Sequence, residues 1–295
     1  MKVLEFVAAR DADHAVALLA EHGAGAKILA GGTDLLVDLK HTPKPADVIV
    51  DISRAADLKR IEVTDEGLVI GTLATHTEIM QSPLIRELFP ALVEAAHTIG
   101  AVQTRNLGTL GGNLITCVPS MDSGPTLVAL EANVKIAGPS GRRTIPLTEM
   151  FASPRKTTLK PGELLVEIII PKENVGKPAA FMKSGLRKGQ ALALVNAAAS
   201  LYVDWDKHVF LAPRISLGAV APTVIRAPKA EAFLEGKPIT PEAMEEAGQI
   251  AATEARPISD FRASAEYRAR VAFNLLRRFH LETTNADVPL EVAVL

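Results

Sequence analysis

The sequence predicts an α+β fold. Three observations carry that prediction. Within the first 55 residues, short apolar runs alternate with helically spaced segments in β-α-β-α-β order, which implies a small parallel sheet. After residue 60 strands and short capped helices mix without that alternation, which implies a mainly antiparallel α+β unit. The polar stretch Lys172-Glu173-Asn174-Val175-Gly176-Lys177-Pro178 then reads as a linker, and a second sheet followed by helices lies beyond it.

Each element has a local cause. Met1-Lys2-Val3-Leu4-Glu5-Phe6 is too short and too charged for a signal peptide and reads as the start of a strand that Phe6 and Val7 end. Ala12, Ala15, Val16 and Leu19 keep helical spacing. Lys27 to Ala30 is a short strand running into Gly31-Gly32, and Thr33 is placed to cap a helix over Asp34 to Lys40. Val48-Ile49-Val50-Asp51-Ile52 and Leu68-Val69-Ile70-Gly71 are apolar strands. Thr75 and Glu78 form a capping box, and Ser82-Pro83 opens a further helix. Pro90 to Ile99 reads as a helix that Gly100 ends. Asn133–Ala137 and Leu164–Ile170 are strands, and so are Ala193–Val203 and Arg214–Val220 in the second sheet. Residues 240–255 and 264–281 are helical, the last with Tyr267, Val271, Leu275 and Phe279 on one apolar face.

Composition bounds the function. The 295 residues are 48% apolar, enough for one large or two moderate domains, and the net charge is −2. That balance gives no footprint for nucleic acid or an anionic membrane, and no run of 18 apolar residues is present. The single cysteine, Cys117, rules out an internal disulfide and suits a reducing cytoplasm. It also rules out a cysteine-ligated iron–sulfur cluster held by this chain alone. Cys117 reads as a small buried residue. The seven histidines form no H-x-x-x-H or H-E-x-x-H pair, so no protein-bound metal is expected.

The chemistry sits in two double-glycine segments, Ala30-Gly31-Gly32-Thr33-Asp34-Leu35 and Thr109-Leu110-Gly111-Gly112-Asn113. Free N–H groups in glycine turns make anion-binding nests. Two of them suit the two phosphates of a dinucleotide; plain tight turns are the other reading. Neither segment fits G-x-G-x-x-G or the P-loop, so a Rossmann or P-loop site is not supported.

Four stretches resemble one family. Ile28 to Leu35 is similar to the first flavin loop of the FAD-binding medium subunits of molybdenum hydroxylases, the group of the carbon monoxide, nicotinate and xanthine dehydrogenases. Gly71-Thr72-Leu73-Ala74-Thr75-His76 resembles the next signature, Arg105 to Asn113 the second flavin loop, and Asp260 to Arg268 the start of the last helix. The likeness runs from about residue 3 to 281. It implies an FAD-binding domain over 1–175, with subdomains of about 1–55 and 56–175. It further implies a C-terminal domain over 176–285 with a three-stranded antiparallel sheet and a helical bundle, and a tail over 286–295.

The resemblance also implies roles. Leu29, Ala30, Gly31, Gly32, Thr33, Asp34 and Leu35 on one side, and Thr109, Leu110, Gly111, Gly112 and Asn113 on the other, are expected to hold the FAD pyrophosphate, with the N–H groups of Gly31–Thr33 and Gly111–Asn113 neutralising it. For Asp34, stabilisation of the first helical turn is an equal alternative. Ile99 and Gly100 match positions near the cofactor, and Leu165 an apolar or backbone contact. Asp122 matches an acidic acceptor of cofactor hydrogen bonds, against an Asx turn before Ser123-Gly124-Pro125. Lys183 belongs to a stretch that approaches the flavin, against a solvated lysine. His76 has a structural role, and no residue is assigned to catalysis. Leu194 stands where the xanthine dehydrogenases carry a lysine near the flavin.

The implied function is an oxidoreductase subunit. FAD in this chain carries electrons from [2Fe–2S] clusters of a small partner, fed by the molybdenum cofactor of a large partner, to NAD or another acceptor. A heterotrimer or its dimer is expected. A stand-alone flavoprotein and a non-catalytic nucleotide-binding scaffold are the alternatives.

Overall fold

The computed structural model describes residues 5–41 and 46–284. The first four residues and the tail over 286–295 lie outside it.

The first unit is β1 (Glu5–Ala8), α1 (Ala12–His22), β2 (Ala26–Leu29), α2 (Leu35–His41) and β3 (Val48–Asp51). β3 lies between β1 and β2 and pairs parallel with both. Asp11 starts α1 by accepting the His14 N–H at 2.8 Å. Ala12, Ala15, Leu18 and Leu19 bury one face of α1 on Val48, Val50 and Ile52.

The second unit holds β4 (Ile61–Thr64), β5 (Gly67–Gly71), α3 (His76–Gln81), α4 (Pro83–Leu88), α5 (Pro90–His97), α6 (Val102–Leu107), α7 (Leu110–Thr116) and α8 (Ser123–Ala129). It continues with β6 (Asn133–Gly138), β7 (Gly141–Pro146), α9 (Leu147–Met150), β8 (Phe151–Ser153), β9 (Lys156–Thr157) and β10 (Leu164–Pro171). The five-stranded sheet runs β4-β5-β10-β6-β7, antiparallel throughout. β10 is central, so Leu164 to Ile170 are all buried and, save Glu167, apolar; Arg60 and Lys135 pair with the Glu167 carboxylate. Leu68, Ile70, Leu110, Leu114, Ile168 and Ile170 share the core above this sheet.

The last unit is β11 (Ala179–Gly185), β12 (Ala193–Asp204), β13 (Val209–Gly218), β14 (Ile225–Arg226), α10 (Pro228–Leu234), α11 (Pro241–Glu254) and α12 (Ala265–Thr284). The antiparallel sheet β11-β12-β13-β14 has three long strands and a two-residue fourth. Alanines on β12 let α11 and α12 pack closely, with Leu275, Leu276 and Phe279 filling the core. Tyr267, expected on the apolar face of α12, is 48% exposed, while Leu275 and Phe279 are buried.

The expected linker is packed. Asn174 and Lys177 are buried, Asn174 donating to Leu130 O at 3.0 Å. Glu131, at φ 54°, accepts from Arg214 of β13 at 2.7 Å and Arg226 of β14 at 3.2 Å. Burial alone would raise the Glu131 carboxyl; the two guanidiniums overcome that and hold it below its usual range.

Candidate functional site

β2 runs into the turn Ala30–Asp34, where Gly32 takes φ +72° and α2 begins at Leu35. Among the described residues, the N–H groups of Gly31, Gly32, Thr33 and Asp34 donate to no other group of the chain. Groups of this kind are left free to serve as donors. Among the described residues Thr33 makes no side-chain cap hydrogen bond. Its Oγ1 instead stands 3.5 Å from where a Cβ on Gly108 would lie, toward the start of α7.

The second glycine pair is not a turn. It lies in the first turn of α7, with Thr109 as cap accepting from Gly112 at 3.0 Å. Its N–H groups are already used: Leu110 donates to Ala74 O at 2.8 Å, Gly111 to Thr72 O at 3.0 Å and Asn113 to Thr109 O at 3.0 Å. The expectation that Gly111, Gly112 and Asn113 neutralise phosphate through backbone N–H groups is therefore corrected. The stretch Gly71–His76 is the strap behind this helix start, and the His76 N–H donates to Gly108 O at 3.1 Å.

The two segments face each other across a cavity of about 620 Å³, within the usual size of a ligand site. Ala30, Gly31, Gly32, Thr33, Asp34 and Leu35 line one wall, and Ile99, Thr109, Gly112 and Asn113 the other. The Asn113 Oδ1 accepts from Ser123 at 2.6 Å. Its amide nitrogen has no hydrogen-bond partner among the described residues.

Seven expected residues do not line it. Leu29 packs under α2 with Leu36, Leu39 and Ile49. Leu110 and Leu165 lie in the core of the second unit. Gly111 is pressed on Thr72, whose Oγ1 is 1.7 Å from where a Cβ would stand. Gly100, at φ +48°, belongs to a turn that Arg105 pins by donating to His97 O at 3.1 Å and Ile99 O at 3.0 Å.

Asp122 and Lys183 meet each other. The Lys183 ammonium donates to Asp122 at 2.5 Å and to Thr98 O at 3.2 Å, and Asn196 donates to the other carboxylate oxygen at 2.9 Å. Both are buried, so the Asx turn and the solvated lysine are both set aside. Burial pushes the Asp122 carboxyl up and Lys183 pulls it back. Leu194 is buried, and its carbonyl accepts from Arg268 at 2.9 Å.

His76 lines the cavity although only 2% of it is exposed. Burial, with Arg105 nearby, lowers its pKa to about 4, so it is a neutral imidazole at pH 7. Its Nδ1 is buried and has no hydrogen-bond partner among the described residues. Lys27, Asp38, Thr116 and Arg155 also line the cavity and were not singled out from sequence; Arg155 gave no signal, because its contact spans 117 positions.

Residues 2–173 match the FAD-binding domain in molybdopterin dehydrogenase, and residues 179–283 match the carbon monoxide dehydrogenase flavoprotein C-terminal domain. The chain belongs to the FAD-binding medium subunits of the molybdenum hydroxylases. Among these medium subunits it is 32% identical to the carbon monoxide dehydrogenase medium chain of Hydrogenophaga pseudoflava, over 93% of this chain and 94% of that one. It is 33% identical to the nicotinate dehydrogenase FAD-subunit of Eubacterium barkeri, over 83% and 84%. A carbon monoxide dehydrogenase structure from H. pseudoflava superposes with a TM-score of 0.89 at 33% identity, over 94% of this chain and 96% of that one. Quinoline 2-oxidoreductase from Pseudomonas putida 86 gives 0.87 at 29%, over 96% and 98%.

The α+β architecture expected from sequence is the one found, and the medium subunit is part of an oxidoreductase that uses FAD. No helix among the described residues is long and apolar enough to cross a membrane. The uncharged N–H donors at Gly31–Asp34 are of the kind that the phosphates of FAD would need.

Proposed function

We propose that this chain holds FAD in the cavity between the two glycine segments and passes electrons from protein partners to NAD or another acceptor. The carrying observation is that the N–H groups of Gly31 to Asp34 have no partner among the described residues and belong to a cavity that Gly112 and Asn113 also line. Ala30 to Leu35, Ile99, Thr109, Gly112 and Asn113 would touch the cofactor. Leu29, Gly100, Leu110, Gly111, Asp122, Leu165 and Lys183 would act from behind that surface.

When bound, FAD supplies a carrier able to take electrons one at a time and to deliver them singly or in pairs. The chain's own part is to donate hydrogen bonds to the phosphates and to hold the Ile99–Gly100 turn in place through Arg105. His76 stays neutral and adds no charge. The electrons would come from [2Fe–2S] clusters of a small partner subunit, fed by the molybdenum cofactor of a large one. They would leave to NAD or another acceptor. A cytoplasmic heterotrimer, or its dimer, is the assembly that goes with this role. The domain division at 175/176, with subdomains meeting near residue 55, belongs to the same reading, as does the tail after 285.

The test is a visible absorbance spectrum of the purified chain before and after adding FAD. Flavin bands that co-elute with protein at about one per chain support the assignment. A chain that stays colourless when reconstituted alone and when co-expressed with its partners would end it.

A further inference from the structure

The hairpin β8–β9 turns through Pro154-Arg155, since Ser153 and Lys156 face each other in register. Arg155 has φ +59°. In a two-residue turn with proline first and positive φ second, glycine or asparagine is the usual second occupant. An arginine there accepts backbone strain, and its side chain is the only gain in return.

That side chain has a place to go. The Arg155 N–H donates to Cys117 O at 2.9 Å, which fastens the turn to the end of α7. The Cys117 thiol adds a contact to Lys156 O at 3.3 Å. From this fixed base the guanidinium reaches Asp38 of α2 at 3.1 Å. α2 and α7 are the helices that begin at the two glycine segments, so the ion pair ties the first turn of α2 to the hairpin fastened at the far end of α7. Both Arg155 and Asp38 line the cavity. Thr116 Oγ1 and Asp34 Oδ2, 3.5 Å apart, approach each other across the same gap.

We infer that the Arg155–Asp38 pair is a clasp across the cavity, which slows the exit of the bound dinucleotide. The inference rests on the FAD assignment above. The pairing also occupies an acidic group that would otherwise face the phosphates. The pair is open to solvent, with side chains 59% and 56% exposed. Its contribution is therefore modest and screened by salt.

The experiment measures FAD release from the loaded full chain, followed by the return of flavin fluorescence on dilution. R155G is the decisive variant, because glycine suits the backbone and leaves the fold unstrained. Release is expected about two- to five-fold faster in R155G, the range an exposed ion pair supports. D38N is expected to match it, and the double variant to add nothing further. Raising the salt should speed the wild type toward the variant rate and leave R155G almost unmoved. The melting temperature of R155G without FAD should equal or exceed that of the wild type. Release from R155G at the wild-type rate overturns the clasp. So does faster release in R155G with none in D38N, which would make Arg155 a direct phosphate ligand. A wild-type chain that takes up no FAD removes the cofactor assignment itself, and the clasp with it.

Discussion

Gly31 and Leu107 touch backbone to backbone. A Cβ built on Gly31 would lie 1.8 Å from the Leu107 carbonyl oxygen. The first glycine turn therefore rests directly on the end of α6, the helix that leads into the second glycine segment. Contact, as much as room for a ligand, demands glycine at this position.

Gly31→Ala should therefore damage the fold and not only the site. The added methyl meets a carbonyl that cannot swing away, so one segment must shift. Overpacking of this kind costs about 1–3 kcal/mol, which lowers the melting temperature by several degrees in a chain of this size. Thermal unfolding without FAD reads it directly. An unchanged melting temperature would mean that the two segments separate freely.

Gly112→Val should behave in the opposite way. A Cβ there meets only Thr109 Oγ1, at 2.9 Å, the movable end of a side chain. Losing that cap costs about 1 kcal/mol, and the fold survives. The valine side chain instead occupies the cavity wall. Flavin content after reconstitution should fall to a small fraction of the wild type while the circular dichroism spectrum stays the same. Full flavin content would remove Gly112 from the site.

These two glycines show what sequence alone could give. Gly31-Gly32 was legible as a turn because a short strand runs into a glycine pair, and Gly32 does take a positive φ there. Gly111-Gly112 read as a second turn because glycine is a poor helix former. The carbonyls of Thr72 and Ala74 override that preference from about forty residues away, by accepting the Gly111 and Leu110 N–H groups. The strand β11 went unread because its run Ala179–Gly185 carries Lys183 and two glycine or serine positions. The hairpin β8–β9 is too short for any pattern. The Asp122–Lys183 pair was read as two separate cofactor contacts, since nothing in a linear sequence reports a meeting across 61 positions.

His76 makes acid sensitivity predictable. Its folded pKa, about 4, lies below the ordinary value of 6.5. Between these values the unfolded chain binds a proton that the folded chain refuses. Stability therefore falls as pH falls through that window, by up to about 3 kcal/mol. His76→Gln should lose this part of the pH dependence while keeping the carboxylate contributions. Urea unfolding of both proteins across the window isolates the difference. Parallel pH profiles would show that His76 takes its proton equally readily in the folded and the unfolded chain.

Asp122 and Lys183 give a prediction about the sheet behind the cavity. Lys183 on β11 bonds Asp122 at the start of α8 and Thr98 O beside Ile99, so one ammonium ties the C-terminal sheet to the cavity wall. Asp122→Asn keeps an acceptor for Asn196 but removes the counter-charge. The ammonium then stays buried without a counter-charge, and breaking such a buried pair costs about 3–5 kcal/mol. Flavin affinity should fall as well, because the Thr98–Gly100 turn loses its anchor. Replacing both partners, as Asp122→Asn with Lys183→Met, removes the orphaned charge and should recover most of the lost stability. It should not recover flavin affinity, since the methionine cannot hold Thr98 O. A double variant no more stable than Asp122→Asn alone would mean that the damage comes from packing, not from a stranded charge.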